Sequence, residues 1–292
     1  MKKTLQLSIN LPFSYYLEKD SASGTRLLRY PSPRMIERYV HALCREMELF
    51  SDCKDAEIRS IRFEGGYIHM LKHDTFAMLL DRLDACFTLA PACEWIALTC
   101  PGQYTQPIEA LLAERGFRLI LDVPTFIEQE AQEHLLPFGA PFQQINLADY
   151  GAVGIRMLTD VTGRTEANRR QTLECLSSLH PGRVELITLS GTPESSEGGE
   201  IRDWLIGHGY VQVERDAYAL PQGTLVHTRD RSRLGEFISL GLGAVSRFDG
   251  FETRNTDDFA RYIDAEGNPA MLYEETRELG ASGGDSACGV PS

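Results

Sequence analysis

The 292-residue chain has no cysteine pair at Cys-x-x-Cys spacing, no long apolar run and no excess of positive charge. Its seven cysteines (44, 53, 86, 93, 100, 175 and 288) are an odd number. They read as reduced, mostly structural thiols rather than as a disulfide framework. No stretch approaches the roughly 18 apolar residues that a membrane-spanning helix needs. With 29 Lys and Arg against 42 Asp and Glu, a net charge of −13 argues against non-specific binding to nucleic acid or to an anionic membrane. Met1-Lys2-Lys3 is followed by alternating apolar and polar residues, not by the continuous apolar region of a secretory signal, so a cytoplasmic location is expected. Neither a P-loop nor a Gly-x-Ser-x-Gly elbow is present, and Gly-x-Gly-x-x-Gly does not follow a strand.

What is present is an alternation of strand and helix periods. Strands are predicted at Thr4–Leu11, Glu57–Phe63, Trp95–Thr99, Arg118–Val123, Val153–Leu158, Val184–Leu189 and Tyr210–Glu214. Helices are predicted at Arg34–Phe50, Asp74–Phe87 with Asp74 as N-cap, Gln106–Arg115, Ile127–Leu136, Glu166–Leu179 and Gly199–Gly207. Such alternation requires crossovers and a parallel sheet, and six units in this length favour a partial (β/α)6 TIM-like barrel. The expectation is one barrel over residues 1–270, a flexible loop at Gly191–Gly199, and a largely disordered tail over 271–292.

The order of short motifs resembles the radical S-adenosylmethionine superfamily, in particular oxygen-independent coproporphyrinogen III oxidase and its haem-chaperone relatives. Pro12-Phe13 resembles the family's I-P-F-C strand end, and Ile61-Arg62-Phe63-Glu64-Gly65-Gly66 its F-G-G-G-T-P turn. Pro101-Gly102 resembles the end of E-A-N-P-G, Arg118–Phe126 resembles R-L-S-x-G-V-Q-S-F, and Asp160–Thr165 resembles G-L-P-G-Q-T. Leu240-Gly241-Leu242-Gly243-Ala244-Val245-Ser246 is similar to L-G-L-G-A-x-S. The resemblance spans about residues 4–270 and implies a radical-SAM-type barrel, with a further C-terminal domain of the family expected to be absent.

Departures from the family pattern concentrate at its chemistry. The resemblance implies cluster cysteines where this chain has Ser14, Glu18 and Ser21, two hydroxyls and a carboxylate that are hard, poor ligands for a [4Fe-4S] cluster. Ser8 and Asn10 stand at the family's Tyr and His, and Glu64 at the first turn glycine ahead of Gly65 and Gly66. Leu98 stands at the cofactor-contacting Glu, Cys100 at its Asn, Pro124 at a Gln, and Arg156 at an Asp. With Gly243 and Ala244, these positions make a vestigial cofactor pocket, and an ion pair between Arg156 and Glu64 is predicted there.

The expectation is a cluster-free, non-catalytic relative with no cofactor and no metal, which binds a tetrapyrrole or a partner protein. One alternative is an active radical SAM oxidoreductase of porphyrin metabolism that uses [4Fe-4S] and S-adenosylmethionine with atypical ligands. Another is a scaffold subunit for an intact homologue. His69 and His73, at i and i+4, read as solvated loop residues rather than a metal pair, and Glu18-Lys19-Asp20 as a surface charge run. Cys86, Cys93 and Cys100 read as small buried hydrophobes, and Trp95 and Trp204 as core.

Overall fold

The computed structural model describes residues 3–14, 27–51, 56–100, 106–127, 152–159, 164–187 and 196–279. Six parallel strands run in adjacent order: β1 (Lys3–Leu11), β4 (Ala56–Gly65), β5 (Leu89–Thr99), β6 (Arg118–Asp122), β7 (Ala152–Leu158) and β8 (Arg183–Ile187). A short pair, β2 (Phe13–Ser14) and β3 (Leu28–Arg29), lies apart from them. On one edge β11 (Ile238–Leu240) adds parallel to β1; on the other, β10 (Ala217–Ala219) and β9 (Val211–Glu214) add antiparallel.

Each strand of the parallel set has two buried faces. In β1, Leu5, Leu7, Ile9 and Leu11 pack against Ile36, Tyr39, Val40, Leu43 and Met47 of helix α1 (Pro33–Glu48). Alternation sends Gln6, Ser8 and Asn10 to the opposite face, where they are also buried. Helix α1 starts cleanly because Ser32 caps the Met35 N–H and Pro33 fills the first turn. Helices α2 (His73–Cys86) and α3 (Gln106–Glu114) continue the outer layer.

The sheet is curled. Arg62 of β4 and Glu185 of β8 are four strands apart, which in a flat ladder means roughly 19 Å at ~4.8 Å per strand. Arg62 Nη2 nevertheless donates to both carboxylate oxygens of Glu185, at 2.9 and 2.8 Å. The inner faces therefore converge on one another, as in the expected partial barrel.

Leu220–Phe237, between β10 and β11, forms a strap that bonds to both ends of the open sheet. Arg229 pairs with Glu214 and Asp216 near one edge, and Gln6 of β1 binds Val226 and Thr228 near the other. Outside the barrel, β12 (Val245–Phe248), β13 (Phe251–Asn255) and β14 (Tyr273–Glu278) form a small antiparallel sheet. Glu46 of α1 ties this region down. It accepts from Gly241 N (2.8 Å), Asn255 Nδ2 (2.6 Å) and the hydroxyl of Tyr262 (2.5 Å), which lies in the helix Phe259–Asp264.

Three expectations need correction. Asp74 lies in the first turn of α2, whose capping position is Lys72 with no side-chain cap. The helix expected from Gly199 begins at Ser196 (Ser196–Gly207), which shortens the loop before it. The tail expected from 271 opens instead with the end of a helix, Pro269–Leu272, and then β14, held on β13. The predicted helix at Ile127–Leu136 and residues 280–292 lie outside the described residues, apart from Ile127 itself. Among the described residues no helix is long and apolar enough to cross a membrane.

Candidate functional site

The inner face of the barrel is polar and charged at its middle level. Glu185 is 1% exposed and meets Arg62, Arg183 (2.8 Å) and Arg229 (3.7 Å). Burial alone would raise its carboxyl, but Arg229, Arg62 and Arg183 hold it well below the usual range. Arg229 also binds Glu214 at 2.7 Å and Asp216 at 2.9 Å, so the arginines and carboxylates form one buried network.

Next to that network the strap places His227 inside the barrel, with Nε2 3.2 Å from Ser8 Oγ and Nδ1 3.1 Å from Ser60 Oγ. Burial, reinforced by Arg62 and Arg229, pushes the imidazole well below its ordinary pKa, so it is neutral at pH 7. Glu94 of β5 accepts the Val226 and His227 N–H groups at 2.8 and 3.1 Å. The strap therefore docks by backbone bonds onto inward strand residues.

A cavity of about 180 Å³ remains between strap and strands. It is lined by Gln6, Ser8, Glu64, His227, Arg229 and Arg231, with Leu234 and Phe237 on its apolar side.

Toward the C-terminal ends of the strands the space is filled differently. Tyr67 is fully buried and donates its hydroxyl to Asp122, which also pairs with Arg156 at 3.2 and 3.0 Å. The expected partner of Arg156 was Glu64; its carboxylate is Asp122, one strand away in the ladder, where register sets the two side by side. Leu98 packs with Tyr67, Leu27, Ile96 and Ile120 in an apolar cluster. Cys100 lies fully buried beside this group, and burial pushes its thiol well above the usual range. His69 is not a solvated loop residue: it stacks on Tyr67 at 5.3 Å, approaches Thr99 Oγ1 at 3.1 Å, and burial lowers it to about 4. His73 is exposed and, among the described residues, pairs with Asp74.

Gly65 and Gly66 serve the chain's own backbone. A Cβ on Gly66 would lie 1.9 Å from the Phe13 carbonyl and 2.5 Å from that of Leu11. Gly243 and Ala244 sit in the β11–β12 turn, bonded to Thr256 and Gly241, and do not line the cavity. Asn10 is pinned by its Nδ2 to the Leu242 carbonyl at 3.1 Å. Of the predicted pocket, then, Ser8 and Glu64 face the cavity, while Leu98 and Arg156 belong to the filled mouth.

The donor set at the expected cluster position does not fit an iron–sulfur cluster held by thiolates. Ser14 is a buried hydroxyl at the end of β2, and Glu18 and Ser21 lie outside the described residues. Cys44 and Cys86 lie on the outer helices, and among the described residues no group of His, Cys, Asp and Glu could hold a metal ion.

Periodicity did not single out Arg62, Glu185, His227, Arg229 or Arg231. The available signal was Arg229, Arg231 and Arg233 at alternate positions between two strands, in a chain poor in positive charge.

No protein-family model matches the chain, and no curated protein matches it. Among solved structures, coproporphyrinogen III oxidase (HemN) from Escherichia coli, a radical SAM enzyme, is similar over 95% of this chain and 72% of its own, at 16% identity and a TM-score of 0.78. SuiB from Streptococcus suis, solved with S-adenosylmethionine, aligns with 71% of this chain and 44% of its own at 14% identity and a TM-score of 0.40. TsrM from Kitasatospora setae, a radical SAM methyltransferase solved with cobalamin and a [4Fe-4S] cluster, gives 70%, 40%, 13% and 0.39. The last two overlap too loosely to carry an argument. The chain thus has the fold of a coproporphyrinogen III oxidase of the radical SAM type, a likeness of architecture at an identity too low to bring the activity with it.

Proposed function

We propose that this chain is a cluster-free binding protein on a radical-SAM-type barrel, without radical catalysis. The observation that carries the reading is the filled mouth: Tyr67, Asp122, Arg156 and Leu98 are buried on one another there, with Ser14 rather than a thiolate at the first expected cluster position. Among the described residues a cavity lies deeper, beside the strap. At about 180 Å³ it is smaller than the ~300–1,000 Å³ typical of drug-sized ligands, which favours a small ligand over a tetrapyrrole.

Anaerobic reconstitution with iron, sulfide and S-adenosylmethionine tests the reading. The expected result is no stoichiometric cluster by visible absorption and EPR and no cleavage of S-adenosylmethionine. A stable [4Fe-4S] signal with cleavage would overturn it in favour of an enzyme with atypical ligands. A haem titration is expected to give no saturable Soret shift, and a saturable one would restore the tetrapyrrole as ligand.

A further inference from the structure

Two side chains of opposite charge line the interior cavity and form no ion pair with each other. Glu64 is 7% exposed, yet its carboxylate makes no hydrogen bond or ion pair among the described residues. With no such partner, this carboxylate depends on what fills the cavity it faces. Arg231 lines the same cavity from the strap. Its guanidinium rests over the Phe237 ring at 5.4 Å and has no carboxylate partner among the described residues. Arg229, by contrast, is committed to Glu185, Glu214 and Asp216. Glu64 and Arg231 line one small space without pairing with each other.

We infer that the cavity binds a small zwitterion, with its ammonium on Glu64 and its carboxylate on Arg231. A simple cation would satisfy Glu64 but leave Arg231 facing it with like charge. A simple anion would leave Glu64 unpaired and add a second negative charge beside it. Only a molecule carrying both charges answers both groups, and the cavity volume limits it to the size of a small α-amino acid. Gln6, Ser8 and Thr228 supply neutral polar atoms around it, and Leu234 and Phe237 an apolar wall for a short side chain.

This inference rests on the interior space being a binding site rather than a catalytic one, and its test is independent of any cluster. Isothermal titration calorimetry on protein purified with a chelator would use glycine and L-alanine as probes, with propionate and propylamine as the single-charge controls. Saturable binding of L-alanine is expected, with each control weaker by about tenfold or more, since a hydrogen bond to a charged group contributes ~1.5–3 kcal/mol. Glu64→Gln and Arg231→Gln should each lower alanine affinity by a similar factor, with circular dichroism unchanged. Absence of binding by both amino acids, equal binding of propylamine, or alanine binding unchanged in both variants would overturn the inference. A reconstituted cluster would overturn the non-catalytic reading while leaving these affinities as they are.

Discussion

Two carboxylates, both almost completely buried, behave in opposite ways in this molecule. Glu185 lies inside the barrel among Arg62, Arg183 and Arg229 and is held ionised well below the usual range. Glu46 lies outside the barrel, on α1. Burial raises it to about 7, against the opposing hydrogen bonds of Tyr262, Asn255 and Gly241 N. The depth of burial is the same, so the partner decides. Cations restore what desolvation removes, whereas neutral donors restore only part of it.

The strongest way to break this contrast is to remove the interior carboxylate. Glu185→Ala would leave three buried guanidinium groups sharing fewer acceptors and should cost about 3–5 kcal/mol of stability in urea denaturation at pH 7. A loss under about 1 kcal/mol would mean that the remaining Glu214 and Asp216 suffice to hold the arginines.

The exterior carboxylate should reveal itself through pH. A carboxyl near 7 when folded and near 4.3 when unfolded keeps its proton longer in the native state. Its stabilising contribution is therefore complete below the unfolded value and declines as pH rises toward 7. Linkage puts the decline at about 2 kcal/mol between pH 5 and pH 7, and Glu46→Gln should flatten it. Glu185, depressed rather than raised, gives the reverse sign. Its contribution is present above the unfolded value and lost only as strong acid approaches its folded value. An unchanged slope in Glu46→Gln would assign the pH dependence elsewhere.

The smallest effect belongs to the surface. Arg38 and Asp264 meet at 3.1 Å with more than half of each side chain exposed. Arg38→Ala should change stability by no more than about 0.5–1 kcal/mol, and less at high salt. A larger loss would show that distance alone, not burial, ranks these pairs.

The barrel was legible in the sequence because its outer face follows simple periods. Leu5, Leu7, Ile9 and Leu11 alternate, and Ile36, Tyr39, Val40, Leu43 and Met47 share one helical stripe, so β1 and α1 were placed within two residues of their observed ends. The inner face was not legible in the same way. Ser60, Arg62 and Glu64 have the polar alternation of a solvent-exposed face, yet they are buried: Arg62 meets Glu185 from four strands away, Ser60 meets His227 of the strap, and Glu64 faces the cavity. That pairing depends on curvature, which no local window contains. His69 was misjudged for a related reason: its neighbours Thr99 and Cys100 come from β5 and the residue after it. The strap leaves no apolar period in the sequence, because its bonds run from backbone groups to Glu94 and Gln6.

The docking of the strap also bears on the order of assembly. Gln6 and Ser8 find their side-chain partners at Val226 and His227, some 220 positions along the chain. While the chain is being synthesised, the inner face of its first strand has water where those partners will be. Contacts of such long sequence separation form slowly and late. β1 is thus made long before its partners and is among the last strands to be completed, and variants that weaken the strap should speed unfolding and lower stability with the folding rate little changed.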